Sequence, residues 1–203
     1  MGGTIDAQTL GGIPAEEVVT QTQLGEIDLR TLIESALLKS TSDALSPQER
    51  SMMLRILRFG TLTVEDVMVP RADIVSVDDS VSIEELLRVF RKSEHSRVPV
   101  YRETLDDPRG MIHIRDLMSW ITEEANGNED GRIDFGKVDL MRTVGSINIA
   151  RELIYVPPSM SVLDLLLKMQ TAQLHLALVV DEYGGVSGLV TIEDVLEQIV
   201  GEI

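Results

Sequence analysis

The chain has 203 residues, no cysteine and a formal net charge of −16. The lack of cysteine excludes a disulfide framework, a thiolate nucleophile and a cysteine-based zinc site. The acidic charge argues against binding to nucleic acid or to an anionic membrane surface, because both need a basic face. The apolar runs, such as residues 174–180, are far shorter than the roughly 18 residues of a membrane-spanning helix, so we expect no direct membrane insertion by this chain.

The first 25 residues mix Gly, Thr, Gln and acidic residues with single hydrophobic residues. Such a segment buries too little apolar surface to offset the entropy of ordering it, so we predict that residues 1–25 form a disordered tail. The start of the chain also lacks the basic patch and the apolar stretch of a signal peptide. We therefore expect a cytoplasmic location, either free or peripheral to the inner face of the membrane.

Residues 26–60 form the next segment, for which the pattern predicts two helices. Apolar side chains recur at helical spacing across residues 27–39. The motif Ser46-Pro47-Gln48-Glu49 then combines a serine cap, a proline at the first helical position and a glutamate three residues after the cap. Gly60 can end this second helix. We interpret the two helices as a packing or dimer-contact segment.

The rest of the chain contains an internal repeat. Ser82 caps a predicted helix whose apolar residues follow helical spacing, and Ser161 caps a matching helix about 79 residues later. β-branched residues predict a short strand on each side of both helices. These strands span residues 74–77 and 97–101 in the first copy, and 153–156 and 176–180 in the second.

Each copy continues with a turn, a third strand and a closing helix. The turns are predicted at Asp106-Asp107-Pro108 and at residues 181–185, and the third strands begin at Gly110 and Gly188. The order in each copy is β-α-β-β-α, which predicts an α/β (α+β) fold preceded by the N-terminal helices. The copies should pack against each other, because helices on one side of a sheet leave an apolar face uncovered. We predict domains at residues 61–124 and 142–203, with a linker at 125–141.

Three stretches carry a resemblance to a known family. They are Val67-Met68-Val69-Pro70-Arg71, His95-Ser96-Arg97-Val98-Pro99-Val100 and the block from Asp181 to Ile203. Together they resemble a tandem pair of CBS (cystathionine β-synthase) domains, also called a Bateman module. Within that class they are similar to the CorC/HlyC group of hemolysin-like, magnesium and cobalt efflux-associated proteins. The resemblance extends roughly from residue 61 to the C-terminus.

This resemblance implies a regulatory module. In such pairs an adenine nucleotide (AMP, ADP or ATP) can bind between the copies, with or without Mg²⁺, and the pair belongs to a protein linked to divalent cation transport or homeostasis, with magnesium or cobalt as the cation. It also implies a homodimer through the CBS faces, and a membrane transport domain or protein as a partner. The alternative is a structural module that dimerises and binds no ligand.

The resemblance also implies where a nucleotide binds. Thr191 and Asp194 match residues that typically contact phosphate and ribose, and a helix that begins after Thr191 offers amides and a dipole that suit phosphate. The same turn can instead be a capping box that only starts the helix. The full set of predicted nucleotide-binding residues is Met68, Val69, Pro70, Arg71, Arg97, Ala177, Thr191, Glu193 and Asp194.

Two of these residues and the second site have alternative interpretations. Arg97 either supports the phosphates or forms a surface ion pair, and Arg71 either contacts the nucleotide or is solvated at a turn. In the first copy the residues aligned with Thr191 and Asp194 are His113 and Asp116, which places an imidazole where the hydroxyl would be. We therefore predict one good site and one degenerate second site.

Catalytic and metal-binding motifs are missing from the sequence. Leu189 stands where a nucleophile elbow needs glycine, and no glycine loop ends in Gly-Lys-Ser/Thr. We therefore predict no catalytic residue and no enzyme activity. His95 and His175 are read as equivalent positions before the central strands. We interpret them as structural, because no third metal ligand lies at suitable spacing beside either.

Overall fold

The computed structural model describes residues 28–39, 45–126 and 133–201, so the tail predicted for residues 1–25 lies outside the described residues. The chain divides into two compact units, with the boundary between Leu57 and Arg58. The two predicted N-terminal helices are confirmed as α1 (Leu29–Lys39) and α2 (Pro47–Phe59). The cap at Ser46 is present, because its backbone N lies 2.7 Å from Glu49 Oε2 and its Oγ accepts from the Glu49 backbone N at 3.2 Å.

The second unit contains the repeat in the predicted order. A short helix and strand come first, α3 (Val64–Val67) and β1 (Val69–Pro70). The first copy consists of β2 (Val77–Asp78), α4 (Ile83–Ser93), β3 (Arg97–Arg102), β4 (Thr104–His113) and α5 (Ile114–Ala125). The second copy consists of β5 (Ile154–Val156), α6 (Val162–Ala172), β6 (Leu176–Val180), β7 (Val186–Thr191) and α7 (Ile192–Val200). The predicted serine caps are confirmed, since Ser82 and Ser161 each accept a hydrogen bond from the backbone N–H three residues later.

The two copies form two sheets of the same design. In each copy the first strand is parallel to the second and the second is antiparallel to the third, which gives the orders β2-β3-β4 and β5-β6-β7. The sheet of the second copy gains β1, which pairs antiparallel with β7 through Val69↔Leu189 and Pro70↔Gly188. The first copy has a smaller counterpart, a single antiparallel bridge between Met111 and Arg151. Each copy is thus joined at β7 or β4 by the segment that precedes the other copy.

Two glycines make these crossings possible. A Cβ atom on Gly188 would lie 2.7 Å from the Val69 carbonyl oxygen, and a Cβ atom on Gly110 would lie 2.5 Å from the Arg151 carbonyl oxygen. Gly110 also has a φ of +138°, which side chains with a Cβ rarely adopt. The third strands begin earlier than predicted, at Thr104 and Val186, so these glycines lie inside them, where close backbone approach requires glycine.

Apolar residues form one core in each copy and a third cluster between them. Phe59 and Val64, which precede the first copy, pack into the core of the second. Val144 and Ile147, which precede the second copy, pack into the core of the first. Within the predicted linker, residues Val138 and Leu140 also pack against the first core. The third cluster joins the two copies, as expected for sheets with an uncovered apolar face, and consists of Met111, Leu153, Leu176, Leu178, Val186 and Leu189.

The predicted turn at residues 106–108 is wrong. These residues lie within β4, where Pro108 pairs with Tyr101, and the chain turns earlier, at Glu103 with a φ of 60°. Pro108 is tolerated because β4 is an edge strand, on which a missing N–H costs no inner ladder bond. The first strand is also shorter than predicted, beginning at Val77 rather than at residue 74.

The turn in the second copy is confirmed. The Asp181 backbone N donates to the Gly185 carbonyl at 2.9 Å, and Gly184 has a φ of +84°. Among the described residues, no helix is both long enough and apolar enough to cross a membrane.

Candidate functional site

A cleft of about 340 Å³ lies between the two copies and is called the first cleft below. It opens where the N-terminus of α7, the start of β3 and the segment after β1 meet. Five of the predicted site residues line it: Val69, Arg97, Thr191, Glu193 and Asp194. Its apolar walls come from both copies and from the segment that precedes them, and consist of Val69, Ile74, Val75, Pro99, Leu176 and Leu189.

Thr191 and Asp194 form a capping box at the start of α7. Thr191 N and Oγ1 donate to Asp194 Oδ2 at 2.8 and 2.6 Å, and the Asp194 backbone N donates to Thr191 Oγ1 at 3.2 Å. This arrangement satisfies backbone groups that a helix start leaves unpaired. Because the same turn forms one wall of the first cleft, capping and ligand binding are compatible roles for the two side chains.

Arg97 is held between the two copies. Its Nη1 donates to Glu193 Oε1 at 2.9 Å, and its Nη2 lies 3.2 Å from His175 Nδ1. Only 17% of the Arg97 side chain is exposed, whereas 59% of the Glu193 side chain is exposed. Arg97 is therefore ion-paired in this structure, as one of the two interpretations predicted, but it is largely buried rather than at the surface, and it lines the wall of the cleft.

The other predicted site residues lie outside the first cleft. Ala177 is fully buried in the core of the second copy, because β6 is an inner strand of its sheet. Met68 packs against that core with its sulfur beside Gly188, and Pro70 pairs with Gly188 in β1. Arg71 follows β1 and turns away from the cleft toward Asp106.

Arg71 and Asp106 connect β4 of the first copy with β7 of the second. Arg71 Nη2 donates to Asp106 Oδ2 at 2.9 Å, and Nη1 donates to the Val186 carbonyl at 2.8 Å. Asp106 Oδ1 also accepts from the Val186 backbone N at 2.8 Å. The hydrogen bonds from Arg71 and from Val186 lower the pKa of Asp106 from 3.8 to about 2. Arg71 is thus an ion-pairing residue between strands, and neither interpretation made from the sequence described this contact.

The predicted degenerate site lies beside a second cleft of about 210 Å³, called the second cleft below. His113 caps α5 as Thr191 caps α7, but its Nδ1 accepts from the backbone N of Arg115 at 3.0 Å. Asp116 does not complete a capping box. Instead it pairs with Arg151, whose Nε and Nη2 lie 2.6 and 2.7 Å from its two oxygens. The two copies therefore use the aligned residues differently.

Two pKa shifts mark this asymmetry. Burial, followed by the positive charges of Arg97 and Arg151, lowers the pKa of His113 and favours its neutral form. The hydrogen bonds from Arg151 lower the pKa of Asp116, so this carboxylate stays ionised but is already paired. Asp194, in contrast, bonds only to the turn of its own helix among the described residues, and one of its oxygens remains available to a ligand in the first cleft.

The predicted equivalence of His95 and His175 is wrong by one residue. Ile114 N donates to the Ser96 carbonyl, and Ile192 N donates to the His175 carbonyl, so Ser96 is the counterpart of His175. The strand registers agree, because Arg97 pairs with His113 as Leu176 pairs with Thr191. Within the described ranges, no group of three or more His, Asp or Glu side chains is arranged to hold a metal ion.

Several residues of the first cleft were not predicted from the sequence. Asp73 and Glu94 bring two further carboxylates, and His95 and Ser96 add polar groups at the end of α4. His95 and Ser96 could have been predicted as cleft residues, because they begin the motif at residues 95–100 that carried the resemblance. No sequence motif pointed to Asp73 or Glu94, since only the fold brings them into the same cleft as Arg97.

Comparison with known proteins gives one family. A family model described as the CBS domain matches residues 64–123 and 144–201. The hemolysin C homolog of Rickettsia rickettsii (strain Sheila Smith) is 38% identical over 167 residues, which are 82% of this chain and 50% of that protein. Hemolysin C of Brachyspira hyodysenteriae is 34% identical over 160 residues, or 79% of this chain and 53% of that protein. The chain thus spans about half the length of the curated relatives it matches.

Solved structures agree with this result. The CBS domain of a bacterial CNNM/CorC family Mg²⁺ transporter has a TM-score of 0.69 and 37% identity, covering 92% of this chain and 99% of that chain. Its complex with ATP has a TM-score of 0.63 and 39% identity, covering 77% and 100%. A CBS-domain pair with bound AMP from Klebsiella pneumoniae has a TM-score of 0.55 and 33% identity, covering 69% and 99%.

Proposed function

Since this chain belongs to the tandem CBS-domain pairs of the CNNM/CorC and hemolysin C family, we propose that it is a regulatory module that binds an adenine nucleotide in the first cleft. ATP and AMP are bound in two of the solved relatives, which supports this ligand class. The module acts by binding, so we propose no catalytic role for it. Mg²⁺ would arrive with the nucleotide's phosphates, which supply the oxygen ligands that this cation prefers.

The position of Thr191 and Asp194 in one wall of the first cleft carries this proposal. Apolar side chains such as Val69 and Leu189 offer a surface for the adenine ring, and Asp194 can accept hydrogen bonds from ribose hydroxyl groups. The Thr191 hydroxyl, the first amides of α7 and the Arg97 guanidinium suit a phosphate group. The first cleft thus offers suitable groups for the adenine ring, the ribose and the phosphate of a nucleotide.

Binding in this cleft can change how the copies pack. Arg97 belongs to β3 of the first copy and Glu193 to α7 of the second, so their ion pair joins the copies directly. A phosphate group competes with Glu193 for Arg97, which gives the nucleotide a different affinity for the paired and unpaired arrangements. We propose that a divalent-cation transport domain, with Mg²⁺ as the leading candidate for its cargo and cobalt as the other, reads this difference on the cytoplasmic side of the membrane.

Calorimetric titration with AMP, ADP and ATP, with and without Mg²⁺, tests the site. Thr191→Val should weaken nucleotide binding about tenfold or more, because it removes the hydroxyl that we propose bonds to the charged phosphate of the nucleotide. Thr63→Val is the matched control. Thr63 N and Oγ1 both lie 2.8 Å from Asp66 Oδ2 at the start of α3, and Thr63 does not line the first cleft. Each variant loses the same kind of capping pair, at a cost of about 0.5–2 kcal/mol in stability.

The control separates loss of ligand contact from loss of stability. The proposal requires Thr63→Val to bind nucleotide as the wild type does. If both variants bind equally well, the position of the site is wrong.

The second candidate function is a ligand-free dimerisation module. Large apolar side chains are exposed on the helices of the second copy, with Leu167 at 53% and Val200 at 48% exposure. In a homodimer, another molecule of the protein can cover these side chains. The capping box at Thr191 is also complete within the chain itself. Absence of binding by the wild type at millimolar AMP, ADP and ATP would favour this function over nucleotide sensing.

A further inference from the structure

The first and second clefts are built from equivalent positions of the repeat but differ in charge. Thr191 and His113 are the N-caps of α7 and α5, so the second residue of each helix is also equivalent. That residue is Glu193 in the first cleft and Arg115 in the second. A carboxylate in one cleft is thus replaced by a guanidinium group in the other.

The same reversal continues around both clefts. Glu94 and Gln173 are the C-caps of α4 and α6, with φ angles of 60° and 53°, so a carboxylate is replaced by a neutral amide. Asp194 lines the first cleft, whereas the equivalent Asp116 does not line the second. Asp116 instead forms an ion pair with Arg151. Of the three first-cleft carboxylates whose positions the helix caps align, one is replaced by arginine, one is replaced by glutamine and one is retained but paired with Arg151.

The resulting balance of charge differs strongly between the clefts. Four carboxylates and a single guanidinium group line the described walls of the first cleft: Asp73, Glu94, Glu193, Asp194 and Arg97. Three guanidinium groups and no carboxylate line the described walls of the second cleft: Arg97, Arg115 and Arg151. The lining of the second cleft is thus basic on a chain with a net charge of −16. Arg97 is paired with Glu193 and Arg151 with Asp116, so Arg115 is the guanidinium group of this cleft without a partner among the described residues, and an anion would compete with the two carboxylates for the other arginines.

The size and connections of the second cleft define its ligand class. Its volume of about 210 Å³ is below the roughly 300–1,000 Å³ that is typical of pockets for drug-sized ligands, so the cleft suits a small anion better than a whole nucleotide. Arg97 lines both clefts, and its contact with His175 lies on the side of the second. Arg115 makes no side-chain hydrogen bond or ion pair with any described residue, so its donors are available.

We propose that the second cleft is a phosphate-binding site formed by Arg97, Arg115 and Arg151. Its ligand is either the terminal phosphates of a nucleotide whose adenosine occupies the first cleft, or free inorganic phosphate. A phosphate group that belongs to a nucleotide rests on the function proposed above, whereas binding of free inorganic phosphate does not. With a nucleotide, the acidic first cleft receives the ribose and base, and the phosphates extend past Arg97 to the basic side.

Calorimetric titration of the whole chain with inorganic phosphate, AMP and ATP tests the proposal. Arg115→Gln removes a guanidinium group that lines only the second cleft and has no partner among the described residues. Gln173→Glu restores the carboxylate that the first cleft carries at the equivalent position, on a backbone conformation that Glu94 already adopts. Arg91→Gln, an exposed arginine on α4 outside both clefts, is the matched control and should bind all three ligands as the wild type does. Circular dichroism verifies that each variant is folded.

Two results support the proposal and identify the source. If Arg115→Gln and Gln173→Glu weaken ATP binding about tenfold and leave AMP within twofold, the terminal phosphates occupy the second cleft. If they weaken inorganic phosphate about tenfold and leave the ratio of ATP to AMP affinity unchanged, the cleft binds the free anion.

Other results overturn it. The proposal fails if the wild type binds neither inorganic phosphate nor ATP, or if both variants bind both of these as the wild type does. Inorganic phosphate binding that depends on Arg115, in a wild type that binds no nucleotide, would keep this site while rejecting the function proposed above. If AMP and ATP binding depends on Thr191 but not on Arg115, and inorganic phosphate does not bind, the function proposed above is kept and the phosphate site is rejected.

Discussion

Asp106 accepts hydrogen bonds from Arg71 and from the backbone N of Val186, and so ties an edge strand of the first copy to β7 of the second. Its pKa lies at about 2, below the ordinary value of 3.8. The ionised carboxylate therefore stabilises the folded state fully above about pH 4, and this contribution is lost as the pH falls through the folded pKa of about 2. The side chains of Asp106 and Arg71 are about two-fifths exposed, so solvent screens part of the effect.

Asp106→Asn should lower the urea midpoint of unfolding at pH 7, since the charged pair with Arg71 is lost. The difference from the wild type should persist down to about pH 4 and then narrow toward pH 2, where the wild-type carboxyl also becomes neutral. Asp107→Asn is the control, because Asp107 pairs with Arg109 and not with Arg71. A wild-type advantage over Asp106→Asn that stays constant from pH 5 to pH 2 would contradict the pKa shift of Asp106.

Sequence reasoning identified the residues whose signal is local. Thr191 and Asp194 form a recognisable cap, and the resemblance assigned Arg97 to the cleft that it lines. Arg71 was assigned to the nucleotide although its partner is Asp106, because that contact depends on how β4 and β7 lie side by side. A degenerate second site was predicted at His113 and Asp116, but Arg115 and Arg151 were missed for the same reason, since they line one cleft with Arg97 only in the folded pair.

Backbone segments cross at Gly188 and Gly110, where the chain that precedes one copy meets the third strand of the other. At Gly188 the strand β1 pairs with β7, and at Gly110 the chain near Arg151 bridges to Met111. Neither crossing was predicted, because a two-residue strand and a single bridge have no periodicity in the sequence. The five elements of each copy were predicted, because caps, strand composition and helical spacing repeat at a fixed interval.

Gly188→Ala should destabilise the protein by about 1–3 kcal/mol, because its Cβ would meet the Val69 carbonyl oxygen. Gly110→Ala should cost at least as much, since a positive φ adds to the clash with Arg151. Gly136→Ala is the control. Its Cβ would meet only an exposed aspartate side chain, so we expect a change within about 0.5 kcal/mol.

Urea unfolding followed by circular dichroism measures all three glycine variants. Equal stability of Gly188→Ala and Gly136→Ala would show that β1 does not lie against β7 in solution.

For the molecule as a whole, duplication has given a symmetric scaffold with asymmetric chemistry. The copies share their order of elements, their caps and their crossing glycines, yet the first cleft is acidic and the second basic. Arg97 lies between the clefts and holds Glu193 from the other copy, so any anion that takes Arg97 also acts on the contact between the copies. In the proposed function, this arrangement orients the nucleotide and lets its phosphates change the packing of the pair.

A crystal structure of the protein with ATP tests the central claim most directly. The proposed function predicts density for adenosine in the first cleft, with the ribose at Asp194 and the first phosphate at Thr191 and Arg97. ATP bound away from both clefts, or an empty first cleft in crystals grown at saturating ATP, would contradict the claim.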